Sequence, residues 1–178
     1  MISSSGRFVI VFNGEIYNHK SLKVMIEASS GKLRWKGHSD TEILLAAFEL
    51  WGIESTLQRV NGMFSIALWD RKRRSLTLSR DRMGEKPLYY GWQGKGSSAI
   101  FLFGSELKAL KVHPTCQREV NRDALSLFLR YNYIPSPYSI YRGIFKLPPG
   151  HLIEITETDF YQQVMPESHQ YWSMVDIA

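Results

Sequence analysis

A chain of 178 residues that is 44% hydrophobic and 22% charged has the length and composition of one globular unit with a sizeable core. Its single cysteine excludes a disulfide framework and suits a reducing, cytoplasmic setting, and no apolar run is long enough for a membrane helix. The net charge of +5 raises the question of nucleic acid. The local excess is Arg71-Lys72-Arg73-Arg74, between two strand-like runs, and no aromatic–basic interleaving accompanies it, so nucleic acid is set aside as a partner.

The elements follow in chain order. Phe8 to Phe12 is apolar on both faces, the pattern of a strand held between two layers. Ser21 to Ala28 reads as a short helix with Leu22, Met25 and Ile26 on one side and Gly31 as its stop. Ser39 and Glu42 form a capping-box pattern. The helix behind it carries Ile43, Leu44, Ala47, Phe48 and Trp51, and Gly52 ends it. A hairpin follows, Met63 to Trp69 and Ser75 to Arg80, with the basic tetrapeptide as a solvated tip. Leu88 to Trp92 and Ala99 to Phe103 form a second hairpin. Asn121 caps a helix of Arg122 to Arg130 with Leu125, Phe128 and Leu129 facing inward. Tyr133 to Tyr138 is a Pro-stiffened extended segment, and His151 to Ile155 is the last strand. Helices, hairpins, a helix and a strand in this order indicate an α+β layered domain. No His/Cys/Asp/Glu spacing resembles a metal site.

The first strand runs into Asn13-Gly14-Glu15. An Asn carboxamide followed by a Gly N–H offers two hydrogen-bond donors, the requirement of a developing oxyanion, and Glu15 can receive a cationic amine. Asn-Gly is also a common turn pair for backbone reasons alone, and on these residues by themselves that reading prevails.

Further segments change the balance. Asn13-Gly14-Glu15-Ile16-Tyr17-Asn18 is followed by Ser39-Asp40-Thr41-Glu42, Asn61-Gly62-Met63-Phe64, Asp81 to Tyr90, Gly104-Ser105-Glu106-Leu107-Lys108-Ala109-Leu110 and Lys146-Leu147-Pro148-Pro149-Gly150-His151. In this order the set resembles the glutaminase domain of glutamine-hydrolysing asparagine synthetases, which are class II, N-terminal-nucleophile amidotransferases.

The resemblance implies an N-terminal-nucleophile hydrolase-like αββα sandwich of four layers. It makes Asn13 and Gly14 the oxyanion donors, Glu15 a contact to L-glutamine and Asp40 the carboxylate for the glutamine ammonium. Asp40 also suits a helix start on dipole grounds alone. Arg80, Asp81, Arg82, Gly84, Lys86 and Pro87 match a family motif and read as structural, with an Arg–Asp pair ordering a loop. His19 and His38 flank the two site motifs as packed or solvated neighbours. The family nucleophile is a Cys at the mature N-terminus, whereas this chain opens Met1-Ile2-Ser3-Ser4-Ser5. Ser5 stands roughly 26 Å before Asn13 along an extended segment, and Cys116 sits in a stretch of loop composition with no motif around it.

The expectation is therefore a type-2 glutamine amidotransferase domain over 1–155, incomplete at its N-terminus and inactive alone. A linker over 156–178 leads toward an absent synthetase domain that would use ATP and Mg²⁺. No cofactor is expected in this chain. Expected partners are L-glutamine and a synthetase domain or homologous full-length subunit, with a homo-oligomer as a further possibility. The alternatives are a non-catalytic glutamine-binding or regulatory paralogue, and a different amidotransferase or interaction module.

Overall fold

The computed structural model describes residues 1–31 and 33–175. Its strands are β1 (Phe8–Ile16), β2 (Gly62–Asp70), β3 (Ser75–Arg80), β4 (Tyr89–Gln93), β5 (Ile100–Gly104), β6 (Phe145–Lys146), β7 (His151–Ile155) and β8 (His169–Gln170). Its helices are α1 (His19–Ser30), α2 (Asp40–Trp51), α3 (Ile53–Arg59), α4 (Leu107–Leu110), α5 (Arg122–Tyr131) and α6 (Glu157–Gln162). One sheet has the order β1-β2-β3-β7-β8 and the other β5-β4-β6, with antiparallel pairing throughout.

Period-two alternation in the strands divides the core into two layers. Phe8, Ile10, Ile16, Phe64, Ile66 and Leu68 point to one side of the first sheet and pack on Leu22, Ile26, Leu44, Phe48 and Leu57 of α1–α3. Ala67, Leu76, Leu78 and Ile153 point to the other side, where they meet Leu88, Tyr90 and Leu147 against the second sheet. The outer face of β4 is closed by the stretch around Gly143, whose carbonyl leaves no room for a Cβ on Gly91. The backbone N–H of Asn121, at the start of α5, donates to Ile140 O in the same stretch. The result is an α+β arrangement with two antiparallel sheets face to face.

Several local expectations are revised by this packing. β1 does not turn at Asn13 but continues to Ile16, with Asn13 opposite Ser65, Gly14 opposite Phe64 and Glu15 opposite Met63. Nor is it covered on both faces. The second sheet stops short of this edge strand, so Val11 is 64% exposed. The run before β1 is not extended either. Gly6 N–H donates to Ser3 O in a tight turn, and residues 1–3 fold back along Phe8–Ile10. The capping box at α2 is half formed. Ser39 Oγ accepts from Glu42 N–H, while the Glu42 carboxylate instead takes the N–H groups of Lys36 and Gly37. Met25 lies outside the α1 core. Leu125, Phe128 and Leu129 of α5 are exposed rather than inward, and Ala124 alone is buried among the residues of that helix. Tyr133 to Tyr138 holds a turn in which Tyr138 N–H reaches Pro135 O.

Residues 156–175, expected as a connecting stretch, carry α6 and β8 and return to the first sheet. The Thr156 and Asp159 side chains cap α6 reciprocally. Tyr171 is buried there, its hydroxyl donating to Arg80 O at 2.7 Å. Burial, and secondarily the charge of Asp81, raises that phenol above its ordinary range and keeps it neutral.

Candidate functional site

The candidate site lies at the C-terminal half of β1, where an edge strand meets an uncovered face. Antiparallel pairing decides where each backbone group points. Arg71 N–H donates to Arg7 O and Tyr17 N–H to Asn61 O. The odd residues of β1 therefore bond to β2, and the even residues direct their N–H and C=O groups away from it. Along that outer edge, Ile10 N–H donates to Met1 O and Phe8 N–H to Ser3 Oγ. Ile16 N–H donates to Asp40 Oδ2 at 3.0 Å. Between these anchors the N–H groups of Phe12 and Gly14 have no partner among the described residues. Gly14 thus presents an unpaired donor at the open edge.

Glycine is required at position 14 by a close approach of backbones. A Cβ there would collide with Met63 O, and one on Gly62 with Glu15 O. β1 and β2 consequently approach at this end more closely than side chains permit.

Asn13 projects from the face shared with Val11 and Glu15, on the side of the second sheet. Its Nδ2 donates to Ser105 Oγ at 3.0 Å, and Ser105 Oγ lies 3.1 Å from Ser65 Oγ. Asn13 and Glu15 are both exposed, and the Glu15 side chain makes no hydrogen bond among the described residues. Tyr17, two residues on and largely exposed, has its phenol raised by lost hydration and then by the charges of Glu85, Glu15 and Asp81. Asp40 is the first residue of α2, favoured there by the helix dipole. Its Oδ1 accepts from Thr41 N–H at 2.8 Å while Oδ2 holds Ile16, so one carboxylate ties α2 to the edge of β1.

The geometry brings Gly14 N–H and Asp40 to the same open edge, and Asn13 and Glu15 to the adjoining face. The two amide donors leave the strand in different directions, one in the plane of the sheet and one across it. His19 is a packed neighbour whose Nδ1 lies 2.8 Å from Ile16 O. His38 is exposed and lines a hollow of about 520 Å³ between residues 1–4 and the loop before α2.

Behind the site, Arg80 and Asp81 order the chain, though not by pairing with each other. Arg80 ends β3 and Asp81 begins the turn beyond it, and each finds backbone partners of its own. The Arg80 guanidinium donates to Lys86 O, Leu147 O and Gly84 O, and burial lowers its pKa. Asp81 is fully buried and accepts the N–H groups of Phe64, Met83, Glu85 and Lys86. Phe64 is the β2 partner of Gly14, so this carboxylate also fixes the strand beneath the open donor. Gly84 takes φ 71°, and a Cβ there would stand 2.8 Å from Pro149 Cγ, which explains glycine at that turn.

Neither hydroxyl behind Asn13 carried a role at the sequence level. Ser105 lay inside a recognised motif, but nothing in its spacing pointed to Asn13. Ser65 became relevant only through strand register. Cys116 is 9% exposed, and its N–H donates to His113 O in the loop after α4. The neighbouring Gln117 N–H donates to Gln93 Oε1, on the face of β4 turned away from the intersheet layer. Ser5, at the turn before β1, bonds to Glu49.

The fold is that of the N-terminal-nucleophile amidotransferases. It superposes on a glutamine phosphoribosylpyrophosphate amidotransferase from B. subtilis with a TM-score of 0.58 at 14% identity, covering 98% of this chain and 31% of that one. A second structure, that of an allosteric regulatory enzyme of purine biosynthesis, gives a TM-score of 0.62 at 18% identity, covering 94% of this chain and 29% of that one. The family profile "glutamine amidotransferase domain" matches residues 1–172. The chain belongs to the glutamine amidotransferase domain family, and relatives it matches in sequence are glutamine-hydrolysing asparagine synthetases. It is 40% identical over 143 residues to a putative asparagine synthetase (glutamine-hydrolyzing) 2 of Methanocaldococcus jannaschii, covering 78% of this chain and 25% of the relative. It is 35% identical over 172 residues to asparagine synthetase (glutamine-hydrolyzing) 3 of Bacillus subtilis, covering 91% and 26%. The chain thus spans about a quarter of the length of these relatives. No helix among the described residues is long and apolar enough to cross a membrane.

Proposed function

We propose that this chain is the glutamine-handling part of an asparagine synthetase-like system and that it binds L-glutamine at the open edge of β1. The observation that carries the reading is the unpaired Gly14 N–H beside the exposed Asn13 carboxamide, with Asp40 on the same edge. The backbone N–H of Gly14 receives the carboxamide oxygen at the edge, and the second N–H of the Asn13 side-chain amide, the one not given to Ser105, turns toward it from the adjoining face. Asp40 and Glu15 receive the α-ammonium group. In the reaction a Cys thiolate attacks the carboxamide carbon, the oxyanion forms against the two amides, ammonia leaves and water releases glutamate. The ammonia then serves a synthetase partner, where ATP and Mg²⁺ activate the acceptor. A single thiol in 178 residues supports a cytoplasmic setting.

Within these 178 residues the only cysteine is Cys116, a buried residue beside Gln117, whose N–H bonds to Gln93 of β4, so the chain by itself is expected not to release ammonia from glutamine. Binding is expected to be weak and millimolar, because among the described residues the groups gathered at this edge include amides and carboxylates but no guanidinium for the ligand carboxylate. Calorimetry against glutamine together with an ammonia-release assay tests both statements. No binding heat at millimolar glutamine sinks the binding reading, and turnover lost in Cys116→Ala sinks the assignment of the nucleophile. Fusing a relative's Cys-bearing first segment ahead of Met1 separates an amidotransferase from a non-catalytic glutamine-binding or regulatory protein. The first gains turnover that depends on Asn13, by a factor on the order of 10²–10³ over Asn13→Ala. The second gains none.

A further inference from the structure

We infer that Ser105 is a positioning residue for Asn13, and that with Ser65 it forms a hydroxyl relay that crosses between the two sheets and fixes the direction of the Asn13 carboxamide. The inference deepens the reading of Asn13 as a ligand-facing donor and rests on it.

An exposed Asn on an edge strand is not a preorganised donor. The torsion that turns its amide is broad and roughly two-fold, so the group swings and flips unless something holds it. Here Nδ2 donates to Ser105 Oγ at 3.0 Å. The amide is planar and carries two N–H donors on one nitrogen. Engaging one hydrogen fixes the plane and hence the direction of the other, which stays available for a ligand oxygen. Donors set before the charge develops need no reorganisation when it does.

Ser105 is itself held. It follows Gly104 at the end of β5, and Gly104 pairs with Tyr89 of β4. α4 begins two residues later, and its buried Leu110 packs so near Gly104 that an added Cβ would stand 3.2 Å from Leu110 Cδ2. The Ser105 hydroxyl reaches Ser65 Oγ at 3.1 Å, and Ser65 is 4% exposed. Ser65 is the register partner of Asn13, on the same face of the first sheet. One hydroxyl has one donor and two acceptor sites, so Ser105 can accept from Asn13 and donate to Ser65 at once. Groups from β1, β2 and the β5–α4 connection therefore converge on one oxygen. The face of a buried serine that gives Ser65 its hydroxyl would otherwise suit a small apolar residue, as Ala67 does two positions along the same strand face.

The test is an NMR titration of the whole chain with glutamine, following the Asn13 side-chain amide, in wild type and in Ser105→Ala, Ser105→Thr and Ser65→Ala. Backbone resonances of β1 and β2 report that each variant is folded. In Ser105→Ala the Asn13 amide pair is expected to shift and glutamine affinity to fall about 3- to 10-fold, the loss of one neutral hydrogen bond. Ser105→Thr keeps the hydroxyl and is expected to stay within about 2-fold of wild type, with Ser65→Ala between the two. An Asn13 amide pair unmoved by Ser105→Ala overturns the relay. A pair that moves while glutamine affinity holds overturns the positioning role and leaves a stitch between sheets. Wild-type protein whose Asn13 amide ignores glutamine overturns the ligand reading of Asn13, and the inference falls with it.

Discussion

α2 and α5 are written in the same language and live in different surroundings. Each starts at a side-chain cap: Ser39 Oγ accepts from Glu42 N–H, and Asn121 Oδ1 accepts from the N–H groups of Asp123 and Ala124. Each carries an apolar stripe at helical spacing. α2 buries Ile43, Leu44, Leu45, Ala47 and Phe48 against the first sheet and α1. α5 buries Ala124 and leaves Leu129 74% and Phe128 45% exposed. Periodicity tells which side of a helix is apolar. It does not tell what, if anything, lies against that side.

Substitutions at matched positions test this contrast most severely. Phe48→Ala removes a ring that packs beside Phe8, with centroids 6.4 Å apart, and is expected to cost about 3–5 kcal/mol by denaturant melt. Phe128→Ala is expected to cost under about 1 kcal/mol, and Leu129→Ser to fall within about 0.5 kcal/mol of wild type. Equal losses at Phe48 and Phe128 would show that α5 has a hidden partner face in solution. Sedimentation of Leu129→Ser reads the same question, since a fall in self-association places a second copy on that flank.

Acid is expected to strike the α2 side first. Asp70 is buried at the end of β2 and receives the Arg7 guanidinium at 2.6 Å and the N–H groups of Lys72 and Arg73. Burial pushes its pKa up, but these bonds outweigh it and hold the carboxyl below its ordinary value. Glu49 of α2 is likewise lowered, its burial outweighed by bonds from Ser3, Ser5 and Ser4. A depressed pKa contributes stability that is present above the unfolded value, about 4, and lost as pH falls through the folded value. Melting points from pH 7 to pH 2 should therefore drop below about pH 4, and Asp70→Asn should flatten that drop while costing on the order of 1–3 kcal/mol at neutral pH. A wild-type acid limb as flat as the variant's would remove Asp70 from the account.

The caps give the smallest and finest test. Ser39→Ala and Asn121→Ala each remove one cap and are expected to cost about 1 kcal/mol locally. Because α2 is locked into the core, its loss should appear in the global melt. The loss in α5 should appear chiefly as faster amide exchange of its own first turn.

Element identity was legible in the residues because it rests on local chemistry. Gly31 and Gly52 stop their helices, Asn121 starts one, and Arg71 to Arg74 joins two strands, two of its arginines meeting Glu154 and Glu157. The site was legible in part: Asn13, Gly14, Glu15 and Asp40 do gather at one end of one strand. Their arrangement was not. The Asn13-Gly14 pair reads as a turn until β2 is laid beside it. Asp40 reads as a helix-start acid until its carboxylate is seen on Ile16 N–H. Ser65 and Ser105 have no local signal, since what makes them matter is 52 and 92 residues of separation from Asn13 closed by strand pairing and sheet stacking.

The sequence by itself determined the family, the order of helices and strands, and the residue types able to meet a carboxamide and an ammonium group. Tertiary structure alone decided which backbone donors stay free, which apolar faces find cover, and which hydroxyl accepts from Asn13. The physical reason is range. Caps, turns and periodicity act within a few residues, whereas register and layer width are set by partners far along the chain, and a one-residue change in pairing would turn every side chain of β1 to the opposite face.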